Sequence, residues 1–180
     1  TTLAVYGCLL GYTKISEEMK DQDLVKLVEI IGYKEGLPVV TDPGILSPKK
    51  FIDEVLQIRV PNPFMPDTPQ RIACDTSQKL SIRFGETIKE YAARPELQVS
   101  DLKFIPMVQA GWCRYLLGVD DEGNTFTVSP DPMYESLAKQ LEGVNLYEVG
   151  LGETVEGIFT ELTAGPGAVR ATLKKHLAEA

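Results

Sequence analysis

Arg71, Asp75 and Lys79 recur at intervals of four residues. On one continuous helix, at about 100° per residue, that interval stacks the three side chains on a single face, with Gln78 beside them. Two cations flanking a carboxylate can recognise an anionic or polyhydroxylated ligand. The guanidinium presents a planar fork of donors and the ammonium a point charge. The same residues also read as a solvated helix face laced by i,i+4 ion pairs, each of them weak.

The face depends on what leads into it. Pro61, Pro63, Pro66 and Pro69 precede it. Each removes a backbone donor and fixes φ, so Val60 to Thr68 reads as a stiff, extended or turning connector. Asp67 or Thr68 can cap a helix that tolerates Pro69 in its first turn. Ile72, Ala73, Leu80 and Phe84 fall opposite the polar stripe and supply an apolar base.

The remainder reads as helices punctuated by Pro and Gly. Thr1 to Gly11 is apolar at helical spacing, with no polar leader and no clear cap, and reads as the end of a longer buried helix. Gly7 suits close packing there and Gly11 termination. Ser16 reads as the cap of a short turn, followed by a helix over Asp21–Leu37. Another helix runs from Ser47–Pro48 with Phe51, Ile52, Val55, Leu56 and Val60 as its core stripe. Further helices follow over Gly85–Arg94, over Asp101–Leu117 with Asp101 as cap, over Asp131–Leu141, over Glu153–Leu162 and over Ala168–Ala180. Val119–Val128 reads as a solvated loop or short hairpin without calcium-loop spacing. Glu29 and Arg114 have no readable role. His176, the sole histidine, has no readable partner and reads as a surface residue.

The chain has 180 residues, 43% of them apolar and 24% charged, which suits one globular domain with a substantial core. Its net charge of −8 argues against nonspecific binding to nucleic acid or anionic membranes. Cys8, Cys74 and Cys113 have neither metal-ligand spacing nor a disulfide framework, and read as reduced thiols of a cytoplasmic protein. No metal site is expected. There is no G-x-G-x-x-G after a strand and no alternating β–α pattern, so a dinucleotide-binding domain is not expected within this chain.

Asn62-Pro-x-x-x-Asp67-Thr…Arg71-Ile-Ala-x-Asp75-x-Ser77-Gln78-Lys79-Leu80 resembles the signature of the C-terminal domain of the mannitol dehydrogenase family. Those are NAD(P)-dependent, metal-independent polyol and uronate dehydrogenases, and weaker similarity runs from Thr1 to about Leu177. The resemblance implies an all-α substrate domain, like the helical C-terminal domain of 6-phosphogluconate dehydrogenase, that closes on a Rossmann domain absent from residues 1–180. It implies that Arg71 and Lys79 bind distal oxygens of an open-chain ketose or keto-uronate. Asn62, Asp67 and Asp75 would then cap connector turns or fix the cations' rotamers, with Ser77 and Gln78 as polar neighbours. The catalytic Lys-x4-Asn-x2-His motif is expected just before Thr1, so no catalytic residue and no NAD or NADP site is expected here, and the chain alone should be inactive. Two other readings stand beside this one: a sugar-phosphate dehydrogenase of the mannitol-1-phosphate type, whose cations would hold phosphate, and an all-α interaction module without chemistry.

Overall fold

A computed structural model describes residues 1–141 and 152–180. Among the described residues the fold is all-α, with no strand and one isolated antiparallel bridge, between Val119 and Thr125. The helices are α1 (Thr2–Leu9), α2 (Ile15–Glu18), α3 (Gln22–Glu29), α4 (Pro48–Glu54), α5 (Pro69–Ile72), α6 (Thr76–Leu80), α7 (Glu86–Ala93), α8 (Phe104–Tyr115), α9 (Tyr134–Leu141), α10 (Gly152–Leu162) and α11 (Ala168–Ala178). Three of them continue into wider π-type turns, at Ile30–Gly36, Val55–Arg59 and Ser81–Gly85. None of the described helices is long and apolar enough to cross a membrane.

Two apolar helices form the centre. Ala4, Val5, Tyr6 and Leu9 of α1 and Ile105, Met107, Val108 and Ala110 of α8 are buried, and α10 also packs against α8. The close approach of α1 to α8 rests on a missing side chain: a Cβ at Gly111 would lie 2.9 Å from the Tyr6 ring. The Tyr6 hydroxyl donates to the Met107 carbonyl at 2.8 Å, satisfying its only polar atom inside the core.

Helix ends are capped from distant parts of the chain. The Asp21 carboxylate caps α3 through the amides of Asp23 and Leu24 and also accepts from Tyr12 and Arg170, tying α11 to α3. Asp101 does not cap α8 as its sequence position suggests. The buried Glu35 carboxylate does, accepting from the amides of Lys103, Phe104 and Ile105, each at 2.7 Å. Asp121 lies in the segment expected to be solvated, yet it is buried and accepts from the amides of Val169 and Arg170 at the start of α11. Arg114 is buried as well and donates to the carbonyls of Leu162, Val119 and Asp120. Each of these groups makes at least one bond across a long sequence separation, and as buried polar groups they are hydrogen-bonded.

Other expectations are corrected. Ser16 is not a cap; Lys14 precedes α2 and Ser16 lies buried within it. The apolar stripe of α4 is not core: no residue of Pro48–Arg59 is buried, and Phe51 is 51% and Ile58 68% exposed. The helical pattern there is real, but among the described residues little packs over it. His176 is not isolated; its Nε2 lies 3.0 Å from Glu161 Oε2, which joins α11 to α10.

Candidate substrate-binding site

The proline-rich connector reaches the site through two local devices. Asn62 Oδ1 accepts from the amide of Phe64 at 3.0 Å, closing a turn, and the Asp67 carbonyl accepts from the amide of Ile15, docking the connector on α2. Thr68 then caps α5, its Oγ1 accepting from the amide of Arg71 at 3.1 Å, with Pro69 at the first helical position. This fixes the backbone of Arg71. Its guanidinium pairs with the carboxylate of Asp67 one turn back, at a largely exposed position.

The continuous helix expected over Arg71, Asp75 and Lys79 is not formed. The chain stops at Ile72 and restarts at Thr76, because Asp75 adopts the left-handed conformation at φ 54°, ψ 34°. Among the described residues Asp75 is the one non-glycine residue with positive φ, a conformation Asp tolerates better than most. The break is braced from outside. The Asp75 amide donates to the Pro130 carbonyl, the Ser129 hydroxyl donates to the Gln70 carbonyl, and Asp131 accepts from both the amide and the hydroxyl of Ser77. Burial alone would raise the Asp131 pKa, but the bonds from Ser77 and from the Met133 amide outweigh it and hold the carboxylate below its ordinary range.

The break separates the three stripe residues. Asp75 pairs with neither cation; its carboxylate is exposed. Lys79 turns back across the gap, and its ammonium donates to the carbonyl oxygens of Ile72 at 2.8 Å and Cys74 at 2.5 Å. These carbonyls at the end of α5 lack an intrahelical partner, so the ammonium takes the place a helix continuation would have filled. Lys79 is thereby held at the end of α5 by backbone anchoring, not by helical stacking. Ala73 and Leu80 are buried and Ile72 and Phe84 half-buried, so the expected apolar base is present. Gln78 is exposed, whereas Ser77 is spent on Asp131.

Residues not singled out in the sequence complete the surroundings. Arg83 lies one turn beyond Lys79, in the wide turn Ser81–Gly85, and its Nη1 donates to the Thr1 hydroxyl at 3.1 Å. Its spacing of four from Lys79 could have brought it to notice. A cavity of about 280 Å³ opens at the start of α1, lined in part by Thr1, Ala4, Met65, Asp67 and Ile72. Against Gly7 of α1, Glu18 is fully buried, with neither carboxyl oxygen bonded among the described residues. Burial pushes its pKa up to about 9. It fits because residue 7 is glycine: a Cβ there would fall 2.1 Å from Glu18 Oε1. No group of three described His, Cys, Asp or Glu residues is placed to hold a metal ion.

Comparison with known proteins gives this arrangement its context. The family model for the mannitol dehydrogenase C-terminal domain matches residues 1–177. D-Mannonate oxidoreductase of Thermotoga maritima is 54% identical over 199 residues, spanning 97% of this chain and 37% of that protein. Mannitol 2-dehydrogenase of Aspergillus niger is 33% identical over 135 residues, 73% of this chain and 26% of that one. Among solved structures, Pseudomonas fluorescens mannitol 2-dehydrogenase, in a ternary complex with NAD and D-mannitol, superposes with a TM-score of 0.83 at 22% identity, covering 99% of this chain and 38% of the other. This chain therefore spans between about a quarter and two fifths of the length of these relatives, and it belongs to the mannitol dehydrogenase family, whose C-terminal domain it matches almost end to end.

Proposed function

We propose that residues 1–180 form the substrate-side helical domain of a nicotinamide-dependent oxidoreductase that interconverts a keto-uronate and the corresponding aldonate, on the pattern of fructuronate and mannonate. The observation that carries this reading is the 54% identity to a D-mannonate oxidoreductase across 97% of the chain. NAD or NADP would supply the hydride. The described residues offer no glycine-rich strand-to-helix turn for a dinucleotide, so no step involving the nicotinamide is assigned to this chain.

Its own residues would bind and orient the substrate. Arg71, held by the Thr68 cap and aligned by Asp67, would meet a distal carboxylate or a pair of hydroxyls with its planar fork. Lys79 spends two of its three donors on carbonyls and keeps one for a substrate oxygen. Asn62 shapes the connector, and Asp67 sets the rotamer of Arg71. Asp75 serves through its backbone, by breaking the helix so that Lys79 can turn back.

The test is a substrate panel of fructuronate, tagaturonate, fructose and fructose 6-phosphate, assayed with the full-length protein that carries this domain and with NADH or NADPH. Turnover of a keto-uronate well above the other two classes supports the reading. Preference for fructose 6-phosphate would replace it with a sugar-phosphate dehydrogenase, and no turnover at all would leave a binding module.

A further inference from the structure

We propose that Arg83 is the residue that selects a carboxylate-bearing substrate over a neutral one; this rests on the oxidoreductase reading above and deepens it. Three cations are bonded to residues that line the cavity at the start of α1: Arg71 to Asp67, Lys79 to the Ile72 carbonyl and Arg83 to Thr1. Arg71 is neutralised by the Asp67 carboxylate in direct contact. Lys79 is anchored by two carbonyl dipoles, and it also sits in the field of the Asp131 carboxylate. Glu18, the nearby buried acid, is uncharged at neutral pH, because burial raises its pKa to about 9. It offsets none of the positive charge.

Arg83 has no such compensation among the described residues. Its one recorded bond is to the neutral hydroxyl of Thr1, through Nη1 at 3.1 Å, and the rest of the fork is unengaged. Lys79 and Arg83 lie four residues apart on one continuous helical run, and the Arg83 fork reaches the hydroxyl of Thr1, immediately before α1. The surplus positive charge of the region therefore belongs to Arg83, beside Lys79 and at the start of α1. A neutral polyol gains little from an uncompensated guanidinium. A carboxylate gains a charge-assisted and geometrically matched pair of hydrogen bonds. Arg71 and Lys79 would serve substrates of either kind, and Arg83 would discriminate between them.

The experiment measures kcat/KM of the full-length enzyme, and of its Arg83→Gln and Arg83→Lys variants, on fructuronate and on fructose with the same reduced cofactor. One charged hydrogen bond is worth a factor of roughly 10 to 100 in kcat/KM. Arg83→Gln should lower the fructuronate value by that factor, chiefly through KM, and change the fructose value less than about threefold. Arg83→Lys should recover part of the loss, which a merely structural role would not predict. An equal fall on both substrates, or no change in their ratio, overturns the assignment of Arg83 while leaving the oxidoreductase reading intact. A wild-type enzyme that reduces neither compound, or prefers fructose, overturns the reading and this inference together.

Discussion

Glu18 provides a quantitative check on the interior of the fold. It is fully buried against Gly7 and α1, with neither oxygen bonded among the described residues, and its pKa is raised from 4.5 to about 9. Desolvation by burial is the principal cause. The Asp21 carboxylate adds to it. Since the folded protein holds this proton more tightly than the unfolded chain, the contribution to stability is complete below pH 4.5. It is lost progressively as pH rises towards the folded value near 9. Within that window each pH unit costs about 1.4 kcal/mol, so about 3 kcal/mol is missing at pH 7. Glu18→Gln keeps the shape and removes the ionisation. The variant should match the wild type near pH 4.5 and exceed it by about 3 kcal/mol at pH 7, a gap that widens with pH. Urea unfolding of both proteins at pH 5, 6, 7 and 8, followed by circular dichroism, measures this directly. A gap independent of pH, or a wild type as stable at pH 7 as the variant, would show that the carboxyl is ionised or hydrated in the folded state and would refute the argument.

Four further outcomes are expected. Arg71→Ala in the full-length enzyme should lower kcat/KM by about 1–3 kcal/mol of transition-state stabilisation, and unchanged kinetics would return Arg71 to a surface pair with Asp67. Asp75→Val should destabilise the fold by about 1–2 kcal/mol, since a β-branched residue resists the left-handed conformation, whereas Asp75→Gly should be close to neutral; chemical denaturation separates the two. Glu35→Ala should cost about 3 kcal/mol or more, because it strands three amides at the start of α8, two of them buried, and a loss under about 1 kcal/mol would show that solvent replaces the carboxylate. Gly7→Ala should be strongly destabilising in the wild type and much less so when Glu18 is also alanine, a coupling that a double-mutant cycle on unfolding midpoints reads out.

Much of the helical layout was legible, because it is written in local signals. The Thr68 cap, the close-packing glycine at 7 and the turn at Gly11, with φ 76°, follow from short-range chemistry. The site was legible in composition and not in geometry. A spacing of four fits a continuous helix, and nothing near Asp75 announces that it is left-handed. The brace from Ser129, Pro130 and Asp131 lies more than fifty residues away. Glu35 and Asp121 were missed for the same reason: each caps a helix distant in sequence, so their sequence neighbourhoods resemble ordinary surface. The apolar face of Pro48–Arg59 misled in the other direction, since periodicity reports that a face is apolar and not what covers it.

Anchoring Lys79 by main-chain oxygens has a consequence for redesign. The carbonyls of Ile72 and Cys74 are there whatever side chains those positions carry. Swaps at 72 and 74 that preserve local volume should therefore leave the ammonium where it is, and an engineer seeking new substrates can vary that rim freely. Arg71 is different, because its aim depends on a partner side chain at Asp67, so the two positions must be recoded as a unit.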